Sequence, residues 1–279
     1  MDIALAINLA RRKDRWRNVV SIAKELGVDL HRVRGVDGKM LESQNGHIRV
    51  HKSLVRLSWT DSKSKQRCVG HIKLSKKLRA MVRKGSVSPW SCYGCNRSHS
   101  IALHKARKLL DDGKAKNVLI LEDDAELLAG GLSRIRKAIA RLGREHPGWR
   151  MLVLGGVAQD LWAKQTCHEE AFDGVHYAER VYQSHAYVVR DVEAVDYILE
   201  GLDDKHLVAD GATARAQAHF CWETFFLKPA AVTQGHFGSD ILADQSGGQK
   251  GWLSAWATDS QPRKKAMKAM KAMKVKKTK

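Results

Sequence analysis

The chain opens on an apolar run, Ile3 to Ile7, which reads as a first buried strand and gives way to Arg11-Arg12-Lys13-Asp14-Arg15. Trp16, Val19, Val20, Ala23 and Leu26 then recur at helical spacing, and Gly27 stops that helix. A short second strand around Val33 and Val36 ends at the turn pair Asp37-Gly38, completing a β-α-β opening. From Gly46 to Pro89 the pattern weakens into a basic, serine-rich insertion with a predicted helix near Leu74 to Val82 and no assignable topology. After Gly94 a helix runs through Ile101, Leu103 and Ala106 to Leu110, and Asp111-Asp112-Gly113 closes it. Val118-Leu119-Ile120-Leu121 describes a strand buried on both faces. Leu132 to Leu142 predicts an amphipathic helix, Met151 to Leu154 a further central strand, and Ala186 to Val189 one more. Helices thus alternate with buried strands over the first two thirds of the chain, the doubly wound α/β pattern.

With 279 residues and 43% hydrophobic content the chain can bury a real core, as one large domain or two small ones. Its formal net charge of +19 points at first to a polyanion, nucleic acid or an acidic membrane. The excess is local, however. Residues 46–90 hold 12 Lys and Arg against the single acid Asp61, and residues 261–279 hold nine and no acid, so the remainder nets −1. The expected organisation is a domain over residues 1–260, carrying the basic insertion 46–90, followed by a low-complexity tail over 261–279. That tail repeats Ala-Met-Lys three times, and its uncompensated charge makes it dispensable for folding. Five cysteines are too few for a disulfide-built scaffold. The first nine residues lack the basic start and long apolar stretch of a signal peptide, and nowhere do 18 apolar residues follow one another. The sequence as it stands is expected in the cytoplasm, or in the secretory lumen if a leader is missing.

The sharpest chemical feature is Glu122-Asp123-Asp124, directly after the buried strand Val118 to Leu121. Open α/β sheets bind ligands at the carboxyl ends of their strands, so these acids are expected to face a crevice. Mutual repulsion raises their pKa values unless a cation lies among them, and oxygen-only clusters suit magnesium or manganese. The same triplet also fits a solvated turn with an N-capping Asp.

Here the sequence resembles glycosyltransferase family 25, which contains bacterial lipooligosaccharide galactosyltransferases and collagen galactosyltransferase domains. Ile7-Asn8-Leu9 with Arg12 and Arg15 is similar to the family's opening block, and Val36-Asp37-Gly38 to its second. Gly94-Cys95 followed by Ser98-His99 resembles its Gly-Cys-x-x-Ser-His block, and Leu119 to Leu127 its acidic metal motif. Ser184-His185-Ala186-Tyr187-Val188-Val189 is similar to the strand after a variable loop, and Ala209-Asp210 to a late acidic site. Pro229, Gln234 and Ser239-Asp240-Ile241 resemble the closing block.

The resemblance implies a GT-A-like nucleotide-binding fold with a mostly parallel central sheet. It also implies inverting transfer of a hexose, galactose first, from a UDP-sugar donor to a hydroxyl of a glycan or protein acceptor. Manganese or magnesium would be held by Asp124 with Glu122, and Asn8, Arg12, Arg15, Asp37, Ser98, His99, Glu122, Asp123 and Gln234 would bind the donor. Arg12 and Arg15 are expected to meet phosphate or uracil oxygens, although solvated arginines at a helix start have the same sequence. Inversion needs an acceptor-side base, for which Asp210 is the candidate and Glu223 the reserve; either also fits a second metal ligand or a structural acid. Without the resemblance, Ser98-His99 reads as a helix cap and a core histidine.

Other classes compete. Cys92-x-x-Cys95 with His99 and His104 offers four zinc-ligand side chains, but His99 and His104 lie five apart and point to different helix faces. A thioredoxin-like pair would follow a buried strand, whereas Pro89-Trp90-Ser91 precedes this one. Cys167 and Cys221 read as packed thiols or disulfide partners. The rival from a different class is a nucleic-acid-binding protein that uses the insertion, with Trp59 and Trp90 nearby, and the tail. A non-catalytic relative of the transferases is the third reading.

Overall fold

A computed structural model describes residues 2–158 and 169–235 of the chain. Expectations for Cys167, for Ser239-Asp240-Ile241 and for the tail lie outside the described residues. The first half comprises β1 (Ile3–Asn8), α1 (Lys13–Leu26), β2 (Asp29–Arg34), α2 (Gly38–Ser43), β3 (His47–His51), β4 (Leu54–Thr60), β5 (Arg67–Lys73) and α3 (Lys76–Arg83). The long α4 (Pro89–Asp111), β6 (Val118–Glu122), β7 (Ala125–Leu127), α5 (Gly131–Glu145), β8 (Met151–Val153) and β9 (Val157–Ala158) follow. Then come β10 (Glu170–Phe172), β11 (Val175–Tyr177), β12 (Val181–Tyr182) and β13 (Ala186–Val189). The described part closes with α6 (Val192–Leu199), a π-helical turn (Glu200–Asp204), α7 (Ala209–His219), β14 (Thr224–Leu227) and β15 (Val232–Gln234).

Eight strands form the main sheet in the order β10-β11-β14-β8-β13-β6-β1-β2. The fold is α/β, as expected, but the sheet is mixed rather than mostly parallel. β1 runs parallel to β2 and β6, and β14 to β8, whereas the other four pairings are antiparallel. A parallel neighbour requires a crossover of a dozen or more residues, usually a helix. Among the described residues between β8 and β13 there is no helix; the elements assigned there are short strands, and β13 enters against both β6 and β8. One of those short connections is a hairpin at Asp173-Gly174, both with positive φ, the conformation that a two-residue turn between antiparallel strands requires.

Alternating side chains of the central strands feed two cores. Ile3, Leu5 and Ile7 of β1 with Val118 and Ile120 of β6 pack under α4, α6 and α7. Ala4 and Ala6 with Leu119 and Leu121 pack on the opposite face, under α1 and α5. This is why both strands read as unbroken apolar runs.

Residues 46–90 acquire the topology that periodicity did not assign. β3, β4 and β5 form an antiparallel sheet, with α3 capped by the Ser75 hydroxyl. The inner face of this sheet buries Val55, Leu57, Trp59 and Ile72 against Leu78, Val87 and Trp90, with Trp59 and Trp90 edge to face at 6.2 Å. The outer face carries His47, Arg49, His51, Arg56, Arg67, His71 and Lys73, and its register sets Arg49 opposite Arg56 and Arg56 opposite His71. Burial lowers the His71 pKa, helped by His206 and Arg56. Among the described residues no acid pairs with Arg49, Arg56, Arg67 or Lys73. Like charges directly opposite one another destabilise a sheet, so this surface is held by the core beneath it.

Trp90 belongs to both α4 and that core and is 1% exposed. Trp90→Ala should cost ~3–5 kcal/mol in denaturant unfolding, the range for truncating a buried aromatic. A loss below ~1 kcal/mol would mean that the small sheet is not anchored through this residue.

Candidate active site

β1 and β6 are parallel neighbours, so Asn8 and Glu122 lie at the same end of the sheet, from which the chain goes on to β2 on one side and to β8 on the other. Asp123 is bound back to β1. Its Oδ2 accepts hydrogen bonds from Asn8 Nδ2 at 2.7 Å and from the Leu9 backbone N–H at 3.2 Å, and its Oδ1 accepts from Arg15 Nη1 at 2.8 Å. Arg15 Nη1 also lies 3.6 Å from Asp124 Oδ2. The cation among the acids is thus, in part, an arginine of the chain itself. Burial raises the Asp123 carboxyl even against these donors.

Asp124 is buried, with Oδ2 accepting from Gln234 Nε2 at 3.0 Å and its backbone carbonyl accepting from Gly235 N–H at 2.6 Å. Burial, followed by the charge of Glu122, pushes its carboxyl up to about 7. Its Oδ1 is buried and accepts no hydrogen bond from the described residues. For Glu122, burial works upward, but the hydrogen bond from His99 Nε2 at 3.1 Å and the His99 charge hold the carboxyl below its ordinary value. His99 is in turn 3.2 Å from the Tyr187 hydroxyl through Nδ1 and stacked on that ring.

The other wall is fixed by close backbone packing. A Cβ on Gly38 would lie 2.2 Å from the Trp90 carbonyl oxygen, and one on Gly94 would lie 2.5 Å from that of Val36. Only glycine fits at either position, and α4 settles directly on the loop after β2. Ser98 Oγ donates to the Gly94 carbonyl at 2.6 Å and accepts from the Val36 N–H at 2.8 Å. Val36 therefore leaves the strand it was expected to join. The predicted pair Asp37-Gly38 and the predicted stretch Gly94 to Ser98 are two sides of one contact. Asp37 caps α2 through Lys39 N–H at 3.1 Å and pairs with Arg11 at 2.6 Å.

One cavity is lined by Arg15, Asp37, Ser98, His99, Glu122, Asp123, Asp124 and Gln234 among the residues expected from sequence. Asn8 is wholly buried beneath them and acts through Asp123. Arg12 does not line it and pairs with Asp14 at 2.9 Å; Arg11, which periodicity did not single out, lines the cavity in its place. Asp210 lies at the same end of the sheet, where its Oδ1 accepts from Ser184 N–H and Oγ, both at 2.8 Å. Burial raises its carboxyl, and it feels the charges of Glu122 and His99. Glu223 lies at the opposite end, before β14, bonded to Arg150 at 2.5 Å and out of reach of the cavity. The four-ligand zinc set is not assembled, because His104 is exposed and faces Asp203 at 3.1 Å. Cys68, Cys92 and Cys95 are free thiols, and burial pushes Cys92 up to about 12.

The acids fit a divalent cation. A buried carboxylate oxygen without a donor is costly unless a cation meets it, and Asp124 Oδ1 is such an atom beside the Glu122 carboxylate. The three carboxylates outweigh the close Arg15 guanidinium, and this anionic excess favours a cation among them.

No family model matches the chain, and no curated protein sequence matches it. Among solved structures it is similar to the galactosyltransferase LgtC in complex with donor and acceptor sugar analogs, with TM-score 0.40 and 10% identity over 94% of this chain and 98% of that one. A197 from STIV gives TM-score 0.39 and 12% identity over 88% and 95% of the two chains. UDP-glucose pyrophosphorylase complexed with UDP-glucose gives TM-score 0.38 and 12% identity over 78% and 87%.

Proposed function

We propose that the chain is a metal-dependent glycosyltransferase of GT-A-like fold. In this reading it moves a hexose, galactose first, from a UDP-sugar to a hydroxyl of a glycan or protein acceptor, with inversion. The observation that carries this reading is Asp124 at the end of β6, which lines a cavity shared with the end of β1 and whose buried Oδ1 has no hydrogen-bond donor among the described residues. The resemblance to glycosyltransferase family 25 supports it through the same residues. Asp124 and Glu122 would hold manganese or magnesium, which when bound neutralises the diphosphate of the departing nucleotide.

The chain's own groups have separable tasks. Asp123 orients the acidic turn through Asn8 and Arg15 and leaves ligation to its neighbours. Arg11, at the cavity rim, supplies a charged donor for phosphate oxygens. Ser98 holds the Val36 backbone and so shapes the donor wall. Asp210 takes the acceptor proton; its burial makes the carboxylate a stronger base than an exposed one, and Ser184 fixes its orientation.

A second reading rests on the outer face of the β3-β4-β5 sheet, where Arg49, Arg56, Arg67 and Lys73 have no acidic partner among the described residues. Nucleic acid is the polyanion this surface fits. Replacing Arg49 and Arg56 with alanine should then reduce the slope of log affinity against log salt by about 2, one per lost phosphate contact. An unchanged slope would assign any nucleic-acid binding to the tail.

UDP should bind only with a divalent cation, because the acidic triplet otherwise repels the diphosphate. Asp124→Ala should abolish the metal-dependent part in calorimetry, and equal UDP affinity in chelator and in manganese would overturn the reading. Asp210→Asn keeps an acceptor for Ser184 and should lower turnover by about a hundredfold while leaving UDP affinity unmoved. If it weakens UDP binding as strongly as Asp124→Ala, Asp210 belongs to the donor site and the base lies elsewhere.

A further inference from the structure

We infer that the floor of the cavity is also a site for a thiophilic divalent cation of the zinc class, ligated by Cys95 Sγ, His99 Nε2 and Glu122. The ligand atoms of these three residues all lie within 4.8 Å of one another. Cys95 and His99 are four apart on α4, so they project from one face of that helix, and Glu122 reaches them from the end of β6. The His99–Glu122 edge is 3.1 Å, and the longest edge closes to tetrahedral spacing with a shift of ~1 Å. Cys95, His99 and Glu122 all line the cavity, which leaves a fourth position open toward it, the pattern of a three-ligand site with an exchangeable water.

The outer contacts suit ligation. A histidine bound to metal through Nε2 carries its proton on Nδ1 and donates it onward, and His99 Nδ1 lies 3.2 Å from the Tyr187 hydroxyl oxygen. In the bound state the His99 imidazole is neutral, with its proton on the Nδ1 that faces Tyr187, and the Cys95 thiol proton leaves to solvent. The dication then meets one thiolate and one carboxylate, so the buried assembly is neutral. This site differs from the proposed donor-metal site in using a sulfur and a nitrogen and in omitting Asp124. Glu122 is common to both, so zinc should compete with the donor's cation.

The test is titration of the full-length protein with Co2+ alone, without nucleotide, following thiolate-to-cobalt charge-transfer absorption, with Zn2+ affinity measured by competition against a chromophoric chelator. The wild type and Asp124→Ala should both show the band. Cys95→Ser should lose it and weaken zinc by about tenfold or more, whereas Cys68→Ser should change nothing. Tyr187→Phe should weaken zinc by ~10-fold while keeping the band, because it removes only the outer contact. Absence of the band in the wild type, its survival in Cys95→Ser, or its loss in Asp124→Ala would each overturn the assignment. The proposed UDP reading can fail without touching this result, since no nucleotide enters the measurement.

Discussion

Three consecutive carboxylates at the edge of a dry sheet are tolerable only if most of their oxygens find donors, and the contact that makes this so is the one between Asp123 and β1. Withdrawing a carboxylate from water costs several kcal/mol after relaxation. Asn8, the Leu9 backbone and Arg15 return part of that by occupying both oxygens of Asp123. Because β1 and β6 are hydrogen-bonded neighbours, this single clamp fixes the direction in which the chain leaves both strands. Asp124 is then turned into the cavity beside Glu122, with β15 holding it through Gln234.

The second wall obeys a steric constraint. α4 approaches the loop after β2 closely enough that neither Gly38 nor Gly94 can carry a side chain. That approach brings Ser98 to the Val36 N–H and His99 to Glu122, so one helix serves the wall after β2 and the acidic floor together. It also ties residues 46–90 to the site, because the first turn of α4 supplies Trp90 to the core of the small sheet.

Charge is divided in the same way. Three acids stand together at the end of β6, whereas Arg49, Arg56 and Arg67, without an acidic partner among the described residues, occupy the outer face of β3, β4 and β5. Net charge alone therefore describes neither surface: the +19 of the whole chain conceals a site that is locally anionic.

The sequence by itself determined the buried strands β1, β6 and β13, the helices α1 and α5, and the location of the acidic triplet after β6. These follow from unbroken apolar runs, 3.6-residue spacing and strand ends, all local properties of the chain. Further local signals lie in Ser88-Pro89 at the start of α4 and in Asp173-Gly174 between β10 and β11. Tertiary structure alone decided that β13 runs against its neighbours, that Arg15 pairs with Asp123 while Arg12 turns to Asp14, and that Glu223 is stranded at the far end of the sheet. It alone brought Cys95 to Glu122 while sending His104 to Asp203. Periodicity reports whether a side chain is buried and on which face; strand direction and the pairing of charges distant in sequence depend on which segments meet, and that is fixed only when the core closes.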